Sequence, residues 1–253
     1  MPAVISRRAI GFVIFAVAVS AVCVRLGFWQ LHRLGERRTL NAMLASRLSD
    51  APRPVRDVIR DTSTATYRRA TATGTYDFAN EFALASRTRQ GSPGVHIMTP
   101  LRIAGSDTAV LVNRGWVYAP DAMTVDFSRW HEPPQATVSG YLLQVNAAGK
   151  GAATAPANAR VLRRLDRDSV RARLPYPVEP FYVVATEPTR QAGDSTPARL
   201  TAPLLDEGPH LGYAFQWFAF ALIGLVGAGF SVRADRRGTW RRAPVPMART
   251  ADR

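Results

Sequence analysis

From Leu211 to Val232 the chain carries no charged side chain. Those 22 residues, at about 1.5 Å each, make a helix of roughly 33 Å, enough to cross a bilayer core. A second apolar run opens near the other end, from Ala9 to Val24, and its helical pattern continues through Gly27-Phe28-Trp29-Gln30-Leu31. Apolar spans at both ends with polar sequence between them leave few possible folds. The chain reads as a membrane protein of the α+β class, with two terminal transmembrane helices flanking an antiparallel β-rich extracytoplasmic domain. The expected divisions are a cytoplasmic N-terminus over 1–8, transmembrane helix 1 over 9–31, a periplasmic α+β domain over 32–209, transmembrane helix 2 over 210–232, and a cytoplasmic basic tail over 233–253.

Arg7 and Arg8 before the first run would also suit a signal peptide, but no small-residue cleavage site follows, and Trp29 suits an interfacial position at the far end of a retained anchor. The single cysteine, Cys23, follows the bulky Val22, which disfavours a lipoprotein site, and excludes an internal disulfide or a cysteine-based metal centre. Arg25 interrupts the first run near its outer end, where it can snorkel toward headgroups or meet a buried partner.

The formal charge of +14 does not mark a nucleic-acid binder. Between Arg33 and Glu207 there are 23 basic and 17 acidic residues, so more than half of the excess lies in the short termini. Basic residues before the first apolar run and after the second, Arg233, Arg236, Arg237, Arg241 and Arg242, put both ends on the cytoplasmic side and the middle on the other; the expected setting is the inner membrane of a bacterial cell, with the middle in the periplasm.

Between the spans, Arg33–Leu48 has the apolar spacing of a helix ended by Pro52 and Pro54. Strands are expected over Tyr67–Phe78, over Glu81–Ser86 returning beside it, over Val95–Ile103, Ala109–Tyr118 and Ala136–Val145, and over Phe181–Thr186. Asp121–Gln135 reads as a loop, Asp166–Leu174 as a short helix capped by Asp166, Ala147–Ala153 as a mobile stretch, and Gly193–Ala202 as a returning loop.

On the second apolar helix, at about 100° per residue, His210, Tyr213, Ala214, Trp217, Ala221, Gly224 and Ala228 share one face. Two readings suit it: small residues admit a neighbouring helix, or His210 ligates a haem whose ring lies on the small and aromatic face. Trp29 and His32 end the first helix at the level where His210 begins the second, so these three could meet around one ligand, with Arg25 and Arg33 near its carboxylates. On a strand, Arg114 and Trp116 share a face, so Arg114 is expected to stack on Trp116, or both to contact a partner. His96 and His131 are isolated, and no phosphate loop, nucleophile elbow or His-Glu-x-x-His motif is present, so no enzyme is expected.

Three stretches, Gly27-Phe28-Trp29-Gln30-Leu31 with Arg33, Val112-Asn113-Arg114-Gly115-Trp116-Val117, and His210-Leu211-Gly212-Tyr213-Ala214-Phe215-Gln216-Trp217-Phe218, resemble the signatures of the Surfeit locus protein one family. The resemblance covers nearly the whole chain. It implies a non-catalytic assembly factor for an aa3-type haem-copper cytochrome c oxidase, binding haem a and assisting its insertion into subunit I, with haem a synthase and the lipid bilayer as further partners. The family's helix-entrance histidine corresponds to His210, as axial ligand of the haem iron, with Tyr213, Trp217, Trp29, Arg25 and Arg33 around the haem. Two departures stand out: Gly208-Pro209 where the family often has asparagine before that histidine, and Arg37 where it has lysine. Rival readings are a haem-free membrane chaperone for subunit I, and a membrane-anchored periplasmic ligand-binding or signalling domain.

Overall fold

The structure, a computed structural model, describes residues 5–147, 160–186 and 196–238. Ala147–Ala153 from Ala148 onward, Gly193–Ala202 up to its third residue, and the basic tail beyond Gly238 lie outside the described residues. The chain has an N-terminal apolar helix, a β-rich middle and a C-terminal helix, and it divides into two units: one built from the chain's two ends, the other from Met43–Leu205.

The first unit holds most of α1 (Arg7–Ser49) and all of α4 (His210–Gly238). Both are long and apolar enough to cross a membrane. The helices expected over 9–31 and 33–48 form one unbroken helix, since nothing between Leu31 and Arg33 interrupts the backbone: Arg33 and Glu36 pair along it at 2.6 Å, and Thr39 Oγ1 donates to Gly35 O.

The second unit is a mixed sheet of eight strands: β1 (Arg53–Pro54), β2 (Arg69–Tyr76), β3 (Phe82–Arg89), β4 (Ser92–Arg102), β5 (Ala109–Tyr118), β6 (Gln135–Gln144), β7 (Val161–Leu162) and β8 (Val178–Ala185). Their order is β1-β2-β6-β8-β5-β4-β3-β7, and the end of β2 also pairs with β4 through Thr75↔Arg102 and Tyr76↔Leu101. Five strands, β2-β6-β8-β5-β4, therefore close on themselves. Alternate side chains of all five meet inside: Ala70, Ala72, Val138, Leu142, Phe181, Val183, Val110, Val112 and Leu101, joined by Val55 and Val58 of α2 (Val55–Ile59). A second apolar layer, Phe82, Leu84, Met98, Leu111 and Leu162, packs under Val170 of α3 (Arg167–Arg171). As expected, Asp166 caps α3, accepting from Ser169 N at 2.9 Å.

Two expectations are corrected. The sheet is not purely antiparallel: β5 runs parallel to β8, β3 to β7 and β1 to β2. Nor does β3 return beside β2; it pairs with β4 and β7, because Asp77, accepting from Asn80 N, starts a 3-10 turn over Phe78–Asn80 that carries the chain off the barrel edge.

His96 of β4 gives this domain an acid sensitivity. Asn113 Nδ2 donates to His96 Nδ1 at 3.2 Å, so the ring is neutral there, and burial, then the Arg87 guanidinium, pull its pKa down to about 4. The unfolded chain binds this proton near 6.5 and the folded chain only near 4, so acid favours unfolding. Stability is full above about 6.5 and falls by roughly 3 kcal/mol between there and about 4. Melting curves at pH 4.5 and 7.5 should show a smaller acid loss in His96→Gln than in wild type; an equal loss in both removes His96 as the cause.

Candidate functional site

The apolar helices α1 and α4 pair antiparallel through small residues. Ser20 Oγ donates to Ala221 O at 3.0 Å, and a Cβ on Gly224 would lie 2.6 Å from Ser20 Oγ. A Cβ on Gly27 would lie 2.5 Å from the Phe218 ring, so only glycine leaves that ring its seat, where Phe28 meets it edge-on at 5.4 Å. Ala16, Ser20 and Cys23 on one side and Ala214, Ala221 and Ala228 on the other are buried in this seam. At its far end Ser6 donates from N and Oγ to Asp235 at 2.7 and 2.9 Å.

His210 closes the near end. Its Nδ1 donates to Gln30 Oε1 at 2.8 Å, since an amide oxygen can only accept. Gln30 is 9% exposed, and Nε2 makes no hydrogen bond among the described residues. The approach to α4 is tied to α1: Arg38 makes two bonds of 2.9 Å to the Glu207 carboxylate, and Asn41 Nδ2 donates to Asp206 O at 3.1 Å. Asp206 in turn accepts from Gly208 N at 3.0 Å. Two segments far apart in sequence thus fix one imidazole, with Nδ1 turned to α1 and Nε2 turned away from it. That is the donor set of a neutral imidazole ligand oriented by a hydrogen bond behind it.

The residues expected around His210 are only partly brought together. Tyr213 and Trp217 follow it by one and two turns, at the margin of the seam, Tyr213 being 49% exposed. Trp29 and His32 do not converge with it. At about 100° per residue they lie across α1 from Gly27 and Gln30, and Arg25 lies with them; Trp29 is 52% exposed and His32 pairs with Glu36 at 3.3 Å. Arg33 is exposed beside Glu36 at 2.6 Å. The small-sided stripe below His210 is filled by α1, so the neighbouring-helix reading holds along it.

In the β domain the second motif is part of a charge cluster. Arg114 faces no residue of β4, because Ile97 pairs with Gly115 and Met98 with Asn113, and this bulge turns its side chain into the barrel mouth, 0% exposed. Nε donates to Glu132 Oε2 at 2.8 Å, Nη1 lies 3.4 Å from Glu81 Oε2, Nη2 donates to Trp130 O, and Tyr76 and Phe78 flank the guanidinium at 5.3 and 5.2 Å. Arg199 bonds the other Glu132 oxygen, and His131 Nε2 meets Glu81 Oε1 at 2.7 Å. The expected stacking on Trp116 is therefore corrected: the bulge separates the two, Trp116 Nε1 donates to Arg87 O at 3.1 Å, and Arg89 lies 5.9 Å from its ring. Arg114 has no surface to offer a partner; Trp116 is half-buried.

Set against known proteins, the model of the SURF1 family matches residues 17–222, most of the chain and all three motifs. The chain belongs to the SURF1 family. This is a family of cytochrome oxidase assembly factors rather than of enzymes. Relatives include an uncharacterized SURF1-like protein of Mycobacterium tuberculosis, 25% identical over 87% of this chain and 83% of that protein. A SURF1-like protein of Rickettsia felis is 25% identical over 81% of this chain and 89% of its own length. One of Monosiga brevicollis is 29% identical over 53% of this chain, spanning about half of that relative.

Sequence reasoning missed Gln30, Glu81, Glu132 and Arg199. Gln30 stands inside the first SURF1-family motif, and a polar residue one position after Trp29 in an apolar helix was the signal for it. The two glutamates carry no local signal, since each gains its meaning from Arg114, 33 and 18 residues away.

Proposed function

We propose that this chain is a membrane protein that assists assembly of an aa3-type cytochrome c oxidase by holding haem a at His210 and presenting it to subunit I, next to haem a synthase. The observation that carries this reading is the half-buried imidazole of His210, held through Nδ1 by Gln30 while Nε2 makes no hydrogen bond among the described residues. Haem a, when bound, would supply an iron that such a nitrogen could ligate. Gln30 orients the ring from α1, so that in the neutral imidazole the proton sits on Nδ1. Tyr213 and Trp217 offer an aromatic margin for a flat ring, whereas Arg25, Trp29 and Arg33 point elsewhere and are dropped from the haem site. The two apolar helices and the basic residues outside them support a bilayer-spanning chain with both termini in the cytoplasm and the β domain in the periplasm.

The test is an optical spectrum of detergent-purified protein made in cells that synthesise haem a. Wild type should show a haem a band, His210→Ala none, and Gln30→Ala a weakened and shifted band at unchanged helix content. A band of equal strength in His210→Ala rejects the histidine as ligand. One observation favours a second reading, a haem-free chaperone that steadies subunit I through its helices: the seam below His210 is closed by small residues and leaves no slot for a ring. Under that reading wild type shows no band, while oxidase is still lost on gene deletion.

A further inference from the structure

Arg25 is the only charged residue between Ala9 and Leu31, and it stands on the side of α1 turned away from α4. With Leu26, Phe28, Trp29 and His32 it lines an open groove of about 670 Å³. Phe28 and Trp29 are 63% and 52% exposed there. No carboxylate among the described residues answers Arg25: Glu36, the acid next along the helix, is taken by His32 and Arg33. Direction matters as well. Helical side chains lean toward the helix N-terminus, so Arg25 leans back into the apolar run and away from its Leu31 end, which lies roughly 9 Å further on. Snorkelling outward is therefore hindered, and a guanidinium at apolar depth needs a counter-charge at that depth.

We propose that this face of α1 docks a membrane-spanning helix of a partner protein that carries a carboxylate level with Arg25. A carboxylate can meet the guanidinium through two parallel hydrogen bonds, and Phe28 and Trp29 supply the rigid aromatic anchors that such contacts centre on. The inference rests on the reading of α1 as a membrane span but not on haem binding, since Arg25 and His210 belong to different faces of the helix pair.

The full chain, labelled and reconstituted in phosphatidylcholine vesicles, is titrated with leucine-alanine transmembrane peptides that carry Glu, Gln or Leu at the depth of Arg25, and association is read by resonance energy transfer. The Glu peptide should bind about tenfold more tightly than the other two, the scale of a good polar pair between membrane helices. Arg25→Gln should abolish that preference and Arg25→Lys keep part of it. Equal binding of the three peptides, or a preference that survives Arg25→Gln, overturns the proposal. So does a lipid outcome, in which no peptide is preferred and Arg25→Gln instead strips bound phosphatidylglycerol from the purified protein. Carbonate extraction of wild type checks the span separately: release from membranes overturns it, and the docking face with it.

Discussion

Arg114→Met lowers the melting temperature of the full chain in detergent by roughly 10 °C. Removing one member of a buried ion pair strands the others, at about 3–5 kcal/mol, and a domain of this size loses about 2–4 °C per kcal/mol. Here Glu81 and Glu132 would lose Arg114 while their side chains stay 0% and 4% exposed. Arg199 still reaches Glu132, and His131 and Arg160 still reach Glu81, which limits the loss. Because the groups act as one network, Arg114→Met combined with Glu81→Gln should cost less than the two single changes added together. A melting temperature within 2 °C of wild type for Arg114→Met means that the cluster contributes little.

Gly115→Val should cost about as much through the backbone. Gly115 sits at φ +134, where side chains are strained by about 1–3 kcal/mol, and a Cβ there would lie 2.5 Å from Ala198 O. That oxygen accepts from Trp116 N at 2.8 Å and Ala198 N donates back to Trp116 O at 2.8 Å, so the substitution also pushes out the segment that delivers Arg199 to Glu132. The loss is roughly 3–5 kcal/mol, again near 10 °C in a thermal melt. A milder Gly115→Ala melting like wild type would show that the 198 segment yields easily.

Much of this was legible in the sequence, for a physical reason. Alternation and turn residues announce a strand, so β4, β5, β6 and β8 lie close to where the pattern puts them, and the small face of α4 met the helix that its small residues admit. Partner choice was not legible. That β8 slots between β5 and β6, parallel to one and antiparallel to the other, depends on closing a ring and not on any local pattern. The candidate site divided in the same way. His210 announced itself as a polar residue opening an apolar helix, but which side of α1 it faces hangs on rotation about a long axis. A single step along α1, from Trp29 to Gln30, decides between the groove side and the seam.

The separation of α1 from α4 in sequence also has a temporal side. Between Ser49 and His210 lie 160 residues, Asp50 to Pro209. At about 5–20 residues per second, α1 leaves the ribosome roughly 8–32 s before its partner exists. Through that interval Gln30 has no imidazole to meet and the seat at Gly27 has no ring. The barrel also closes late, because β8 (Val178–Ala185), which joins β5 to β6, is synthesised only shortly before α4. Maturation therefore includes a waiting period in which the N-terminal helix is a lone apolar rod with its small-residue face bare. Any factor that shelters nascent helices would find its client in that state, and the newborn chain stays open to mispairing until α4 arrives.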